Sequence, residues 1–356
     1  MSAGLLGIAP GSPPAGRVSV RAMIAARASR KRLVLVVSVL ALGVAGALAA
    51  ATVLGVERVN WSAAIRPDTA DHTIVFQVRL GRALLGAMVG GALAAAGVTF
   101  QTLVRNPLAD PYVLGVSSGA AVGAALAIAA GSGHGAVLAG AAFAGALGAL
   151  ALIYRVGLVR GRMVPHVVLL AGVVFNAFSW AVIVTLASLS RPGTTAEMLV
   201  WLMGSLSAPD WSRLTVAGVV IVTGVAALIV LAPRMNALVL GDEGAHAVGV
   251  DVPPTRRALL LAASLLTAAA VAMAGPIGFV GIIVPHALRL AVGPDHRILV
   301  PASALGGALF LSVCDTLTRL AFLPLGSEPP VSVLTALLGG PFFLMLLWQK
   351  RGERLS

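Results

Sequence analysis

Long apolar runs separated by short polar breaks make up most of the chain. Residues 33–55 carry no charge and match the ~20 residues a helix needs to cross a bilayer. Comparable runs occupy residues 79–103, 165–189, 213–232, 258–274, 299–322 and 331–348. The stretch 111–154 holds no Asp, Glu, Lys or Arg over 44 residues, about twice one span. A break at Gly131-Ser132-Gly133-His134-Gly135 divides it into two helices. Residues 277–291 follow Gly275-Pro276-Ile277-Gly278 and contain Pro285, which predicts a short span, broken or tilted. The pattern predicts an all-α protein with about ten transmembrane helices.

The polar breaks differ in character. Residues 1–32 are rich in Gly, Pro, Ala, Ser and Arg without hydrophobic periodicity, and read as a disordered basic tail. Met23 is an alternative start that would leave a short basic leader. The run at 33–55 is too long for the ~7–15-residue core of a signal peptide. Residues 350–356 form a second polar tail. The sequence RNPLADP from Arg105 ends the second span with two prolines. Residues 190–212 are polar around an amphipathic piece at 198–203. Residues 236–252, NALVLGDEGAHAVGVDV, form a Gly- and acid-bearing island too polar to cross lipid. Asp242 is expected to cap a short helix over 243–248, with Gly249 ending it. Leu238, Leu240, Ala245 and Val248 would give that helix a small apolar face suited to a groove on a soluble partner. A plain solvated loop is the alternative.

Composition agrees with the pattern. Of 356 residues, 58% are hydrophobic and 11% charged, against about 25% charged in soluble domains. Cys314 is the single cysteine, which excludes an intrachain disulfide. The net charge of +12 comes from arginines that punctuate apolar runs, without the aromatic-interleaved basic face that nucleic acid needs. With ten spans, both termini lie on one side, and 18 of the 25 Lys and Arg residues fall there. That side is cytoplasmic. Lysine occurs only at Lys31 and Lys350, neither after a Gly-rich loop, so no P-loop is present and the chain itself is no ATPase. Energised work would come from another chain or an ion gradient. The six histidines form no HExxH or other tight metal spacing, so no metal site is expected.

Asp315 and Arg319 stand four residues apart within a span, where they can neutralise each other as an ion pair near its outer end. Arg79 and Arg82 begin the second span on the same side. Three arginines at one mouth would attract an acidic ligand or protein surface. Each alone also fits an interfacial side chain reaching for water.

Several blocks carry a resemblance: Arg79-Leu-Gly-Arg82, QTLVRNPLADPYVLGVSSGA from Gln101, LLAGV from Leu169, WLMG from Trp201, GDEGAHAVG from Gly241, GPIGFVGIIVPH from Gly275, GPDHR from Gly293 and GGPF from Gly339. In order over residues 75–348, they resemble the FecCD family, the membrane subunits of type II ABC importers for ferric siderophores, haem and cobalamin. The resemblance implies ten helices per subunit and a homodimer in the bacterial inner membrane. It also implies two cytosolic ABC ATPase subunits that carry ATP and Mg, no cofactor on this chain, and an extracytoplasmic substrate-binding protein. By similarity to the cobalamin importer, Arg79, Arg82 and Arg319 would meet glutamates of the binding protein. Gly241, Asp242, Glu243, Ala245, Val248 and Gly249 would couple to the ATPase, and Met163, Val164, Pro165 and His166 would stand at the cytoplasmic gate. The family often has Pro where Gly81 stands and Gly where Ser332 stands.

An ABC importer permease for a bulky chelate is the leading expectation, with ferric siderophore first, haem and cobalamin next, and molybdate last. An ion-coupled transporter using Asp315 as a proton site is the competing class, and a structural membrane scaffold is a third.

Overall fold

The computed structural model describes residues 15–112, 114–159, 162–321 and 326–353. Its elements run α1 (Ala15–Val53), α2 (Trp61–Ala64), α3 (Ala70–His72), a π-helical segment (Thr73–Arg79), α4 (Leu80–Val104), α5 (Val116–Ala129) and α6 (Gly135–Gly157). A hairpin of β1 (Leu158–Val159) and β2 (Arg162–Met163) follows, antiparallel, with Leu158 opposite Met163. Then come α7 (Pro165–Leu189), α8 (Pro192–Leu202), α9 (Trp211–Val239), α10 (Asp242–Ala247), α11 (Val252–Ala274), α12 (Val280–Val292), α13 (His296–Leu320) and α14 (Val331–Glu353). Among the described residues, seven helices are long and apolar enough to cross a membrane, and three shorter apolar ones accompany them. Together they match the ten predicted spans.

Three expected boundaries are corrected. Helix α1 starts at Ala15, so residues 15–32 are helical where a disordered tail was expected. Ala and Arg are strong helix formers, and the segment continues a span already nucleated. Residues 1–14 lie outside the described residues. The C-terminal tail is likewise helical to Glu353, with 354–356 outside. Helix α9 also runs on to Val239, past Pro233, so residues 236–239 belong to a span rather than to the polar island. Neighbouring helices and local adjustment let a membrane helix absorb a proline.

Small residues set the packing. A methyl group on Gly90 of α4 would overlap the Gly307 carbonyl of α13, and one on Gly97 would overlap the Gly281 carbonyl of α12. In lipid, where no hydrophobic effect drives helices together, such close approach supplies the van der Waals contact. Helix α4 is thereby buried along most of its length, at the centre of the bundle.

Helices α5 and α12 have 14 and 13 residues, about 20 Å of rise against a hydrocarbon core of ~30 Å. The loops before them complete the crossing, and irregular backbone at that depth must be satisfied by protein. The buried carboxylate of Asp110 does this, accepting the backbone N–H groups of Tyr112 (3.1 Å) and Phe279 (3.3 Å). Gly275, at φ 69°, lets the loop before α12 pass the Trp201 carbonyl, which a side chain there would meet at 2.6 Å. The Gly-Pro-Ile-Gly break thus marks a close crossing of chain segments.

Candidate functional site

Three residues on the side that the ten-span topology makes cytoplasmic meet at α10. The carboxylate of Asp242 receives Arg256 Nη2 at 2.6 Å and Nη1 at 3.1 Å, and Arg105 Nη2 at 2.6 Å. Arg105 follows α4 in the left-handed region, φ 53°. There the backbone N–H of Asn106 bonds the Gln101 carbonyl and closes the helix end. Arg256 lies in the second turn of α11. One carboxylate therefore ties α10 to the ends of two core helices.

This arrangement corrects the expected cap. Gly241, at φ 96°, holds the N-cap position, and Asp242 is the first helical residue. Its carboxylate goes to two guanidinium groups, whose charge-assisted bonds are stronger than a bond to a neutral N–H. The expected end holds. Gly249, at φ 82°, donates to the His246 carbonyl while Val250 donates to that of Ala245. The expected apolar face is split, however. Leu238 and Ala245 are buried against the protein, whereas Leu240 (65% exposed) and Val248 (59%) face outward with Glu243 and His246.

The gate candidates lie nearby. Met163 is buried in the hairpin, Val164 and Pro165 are half-buried at the start of α7, and His166 is exposed. The backbone N–H of Val164 bonds the Gly157 carbonyl at 3.0 Å, joining α7 to the end of α6. Met163 lines a cavity of about 500 Å³ with Asp242, Glu243, His246 and Arg256. Candidate gate and candidate coupling helix share that cavity.

At the other end of the bundle, Asp315 is buried between two arginines. Arg82 approaches it through Nε at 2.9 Å and Nη2 at 2.7 Å, and Arg319 Nε lies 3.2 Å away at ion-pair distance. The expected Asp315–Arg319 pair is present, with Arg82 as the nearer partner. Arg82 also pairs with Glu328. Arg319 donates to the Ala51 carbonyl at 3.0 Å. Arg79 donates to the carbonyls of Val53 (3.0 Å) and Glu57 (2.6 Å), where α1 ends and its carbonyls lack helical partners. Arg79 and Arg319 are buried, and Arg82 keeps somewhat more side-chain surface, 14% against 9% for Arg319. Gly81 leaves ordinary space before Pro209, and Ser332 Oγ donates to the Met203 carbonyl.

Sequence reasoning missed Glu328, and treated Arg105 and Arg256 only as topology charges. An acid placed just before Pro329-Pro330 and the last span was the available signal for the first. Nothing local marked the other two.

With this geometry described, comparison with known proteins gives a consistent picture. The FecCD transport family matches residues 33–349. The cobalamin import system permease protein BtuC of Halobacterium salinarum is 48% identical over 281 residues, covering 79% of this chain and 74% of that one. The hemin transport system permease protein HmuU of Yersinia pestis is 40% identical over 346 residues, covering 95% and 99%. A solved inward-facing structure of a metal-chelate type ABC transporter superposes with a TM-score of 0.78 at 31% identity, covering 89% of this chain and 99% of that one. The matched region takes in all ten apolar helices, the Asp242 clamp and the outer arginine cluster, and the chain belongs to the FecCD transport family as a multi-pass permease of the inner membrane.

Proposed function

We propose that this chain is the membrane-spanning subunit of an ATP-driven importer that moves an iron chelate, a ferric siderophore or haem, inward by alternating access. ATP is hydrolysed by two cytosolic ABC ATPase subunits, a second copy of this chain completes the pathway, and an extracytoplasmic binding protein delivers the cargo. The observation that carries this reading is α10, a short helix clamped by Asp242 to Arg105 and Arg256, with Leu240, Glu243, His246 and Val248 turned outward. A rigidly mounted helix can pass a push from an ATPase to the core, and its cavity reaches the gate candidate Met163. Glu243 and Val248 make direct ATPase contacts, while Gly241, Asp242, Ala245 and Gly249 set the shape and mounting of the helix.

Iron cargo is supported by relatives named for hemin in Yersinia pestis and for ferric dicitrate in Escherichia coli. Cobalamin is the second reading, favoured by the 48% identical relative. For docking of the binding protein, Arg82 makes the first contact, while Arg79 and Arg319 hold the mouth in shape from behind. Asp315, the candidate proton site of an ion-coupled carrier, is held between two arginines, which favours the ATP-driven reading. Uptake of labelled ferric siderophore, haem and cobalamin by the complete complex in proteoliposomes tests the assignment. ATP-dependent accumulation of an iron chelate is expected, and accumulation of cobalamin alone would select the second reading.

A further inference from the structure

A second cavity, about 600 Å³, with a largely apolar wall and a few polar side chains, lies at the cytoplasmic ends of α4, α9, α12 and α13. It is lined by Arg105, Asn106, Asn236, Arg289, Asp295 and His296, among others. Its one acid is already engaged: Asp295 Oδ1 accepts from Asn236 Nδ2 at 2.7 Å and from the Arg297 backbone at 3.0 Å. Its cations are less so. Arg289 spends only Nη2, on the Gln101 side-chain oxygen at 2.7 Å, and no carboxylate among the described residues is within ion-pair distance of it. Arg105 spends only Nη2, on Asp242. The Asn106 side chain accepts from the Leu108 N–H, which leaves its amide N–H groups unused. The cavity therefore presents two guanidinium groups and an amide with donors to spare, against the single lining carboxylate of Asp295.

Location selects the kind of anion these donors suit. The exposed apolar side chain of Val239 lines the cavity and Leu290 adjoins Arg289, both at span ends. Arg32 of α1 reaches the Ala291 carbonyl beside it, and Arg297 is exposed next to His296. Basic pockets between helix ends on this side of a membrane suit the phosphate of an anionic lipid, and guanidinium groups bind phosphate oxygens through paired bonds. We propose that this cavity binds the headgroup phosphate of an anionic phospholipid of the cytoplasmic leaflet, through Arg289, Arg105 and Asn106.

The test uses the full-length permease in mild detergent, incubated with phosphatidylglycerol or phosphatidylcholine, with retained lipid counted by native mass spectrometry. The wild-type chain retains phosphatidylglycerol with a preference of about tenfold or more. Arg289→Gln removes the preference. Asn106→Asp does the same while keeping both the bond to the Leu108 N–H and the Arg289–Gln101 contact, so the test survives if the first variant folds poorly. Arg191→Gln, on the opposite face, leaves the preference unchanged. Equal retention of the two lipids by the wild type overturns the proposal, as does an undiminished preference in Asn106→Asp. Inorganic phosphate that protects against thermal unfolding as well as phosphatidylglycerol does would assign the cavity to a free anion instead. Loss of ATPase subunits from the Asn106→Asp complex, with lipid preference intact, would assign it to an acidic side chain of the ATPase.

Discussion

Asp242 and Arg256 face each other as a two-pronged ion pair, Nη2 to Oδ1 at 2.6 Å and Nη1 to Oδ2 at 3.1 Å. Asp242 opens α10 and Arg256 belongs to α11, so the pair sets how the short helix stands against the long one. Arg105 on the same carboxylate adds the end of α4. The predictions that follow separate what these contacts do for stability from what they do for coupling.

Asp242→Ala releases both arginines. Asp242 is nearly half exposed but Arg256 is buried and loses its acid, so the stability cost is about 1–3 kcal/mol. If α10 transmits force, ATP-dependent uptake by the assembled complex falls by about tenfold or more, the size of a typical coupling free energy. Thermal unfolding of the permease measured beside uptake by the complex reads the two effects separately.

Asp315→Ala costs the fold more. It leaves Arg319 without an acid and Arg82 with Glu328 alone, at a site where the lost acid is 1% exposed. Breaking a buried pair from one side costs about 3–5 kcal/mol. A marked fall in the unfolding temperature in detergent is expected. A variant that unfolds like wild type would show the pair to be dispensable for the fold.

Gly90→Ala should destabilise by about 1–3 kcal/mol through overpacking, because the new methyl meets the Gly307 backbone of α13. Gly46→Ala, on the lipid-facing side of α1, has nothing within 4 Å to meet and should be neutral or slightly stabilising. Unfolding curves of the two variants, run together, check that α4 and α13 pack at backbone contact.

How far the sequence could be read depended on how local the cause was. The bounds of α7 at Pro165 and Leu189 were visible because a proline suited to a first turn precedes the apolar run and Ser190-Arg191-Pro192 follows it. The end of α10 at Gly249 was equally local. The start of that helix was not. Asp242 and Arg105 are 137 positions apart, and nothing near either residue shows that the end of α4 and the start of α10 lie side by side. The same holds at the outer mouth, where Arg79 looked available for docking until the end of α1 supplied carbonyls for its donors. Helix α9 departed in the reverse direction, since it runs on past Pro233 to Val239 where the predicted span stopped at residue 232.

Arg82→Glu should abolish docking of the binding protein with ATPase docking intact, and also lower the unfolding temperature by setting an acid against buried Asp315. Arg79→Glu should weaken docking only together with stability, because it removes the donors that close α1. Co-purification with each partner, alongside unfolding temperature, distinguishes contact from support. Docking that survives Arg82→Glu would remove this residue from the interface.

The central claim is that transport through this chain is driven by ATP through a partner that grips α10. Its most direct test is uptake of a labelled ferric chelate into proteoliposomes holding the permease, its ATPase and the binding protein. The proposal predicts accumulation that requires ATP, persists with an uncoupler, and is lost when residues 242–248 are replaced by a Gly-Ser linker. Uptake by the permease alone, without ATPase and collapsing with the proton gradient, would contradict it.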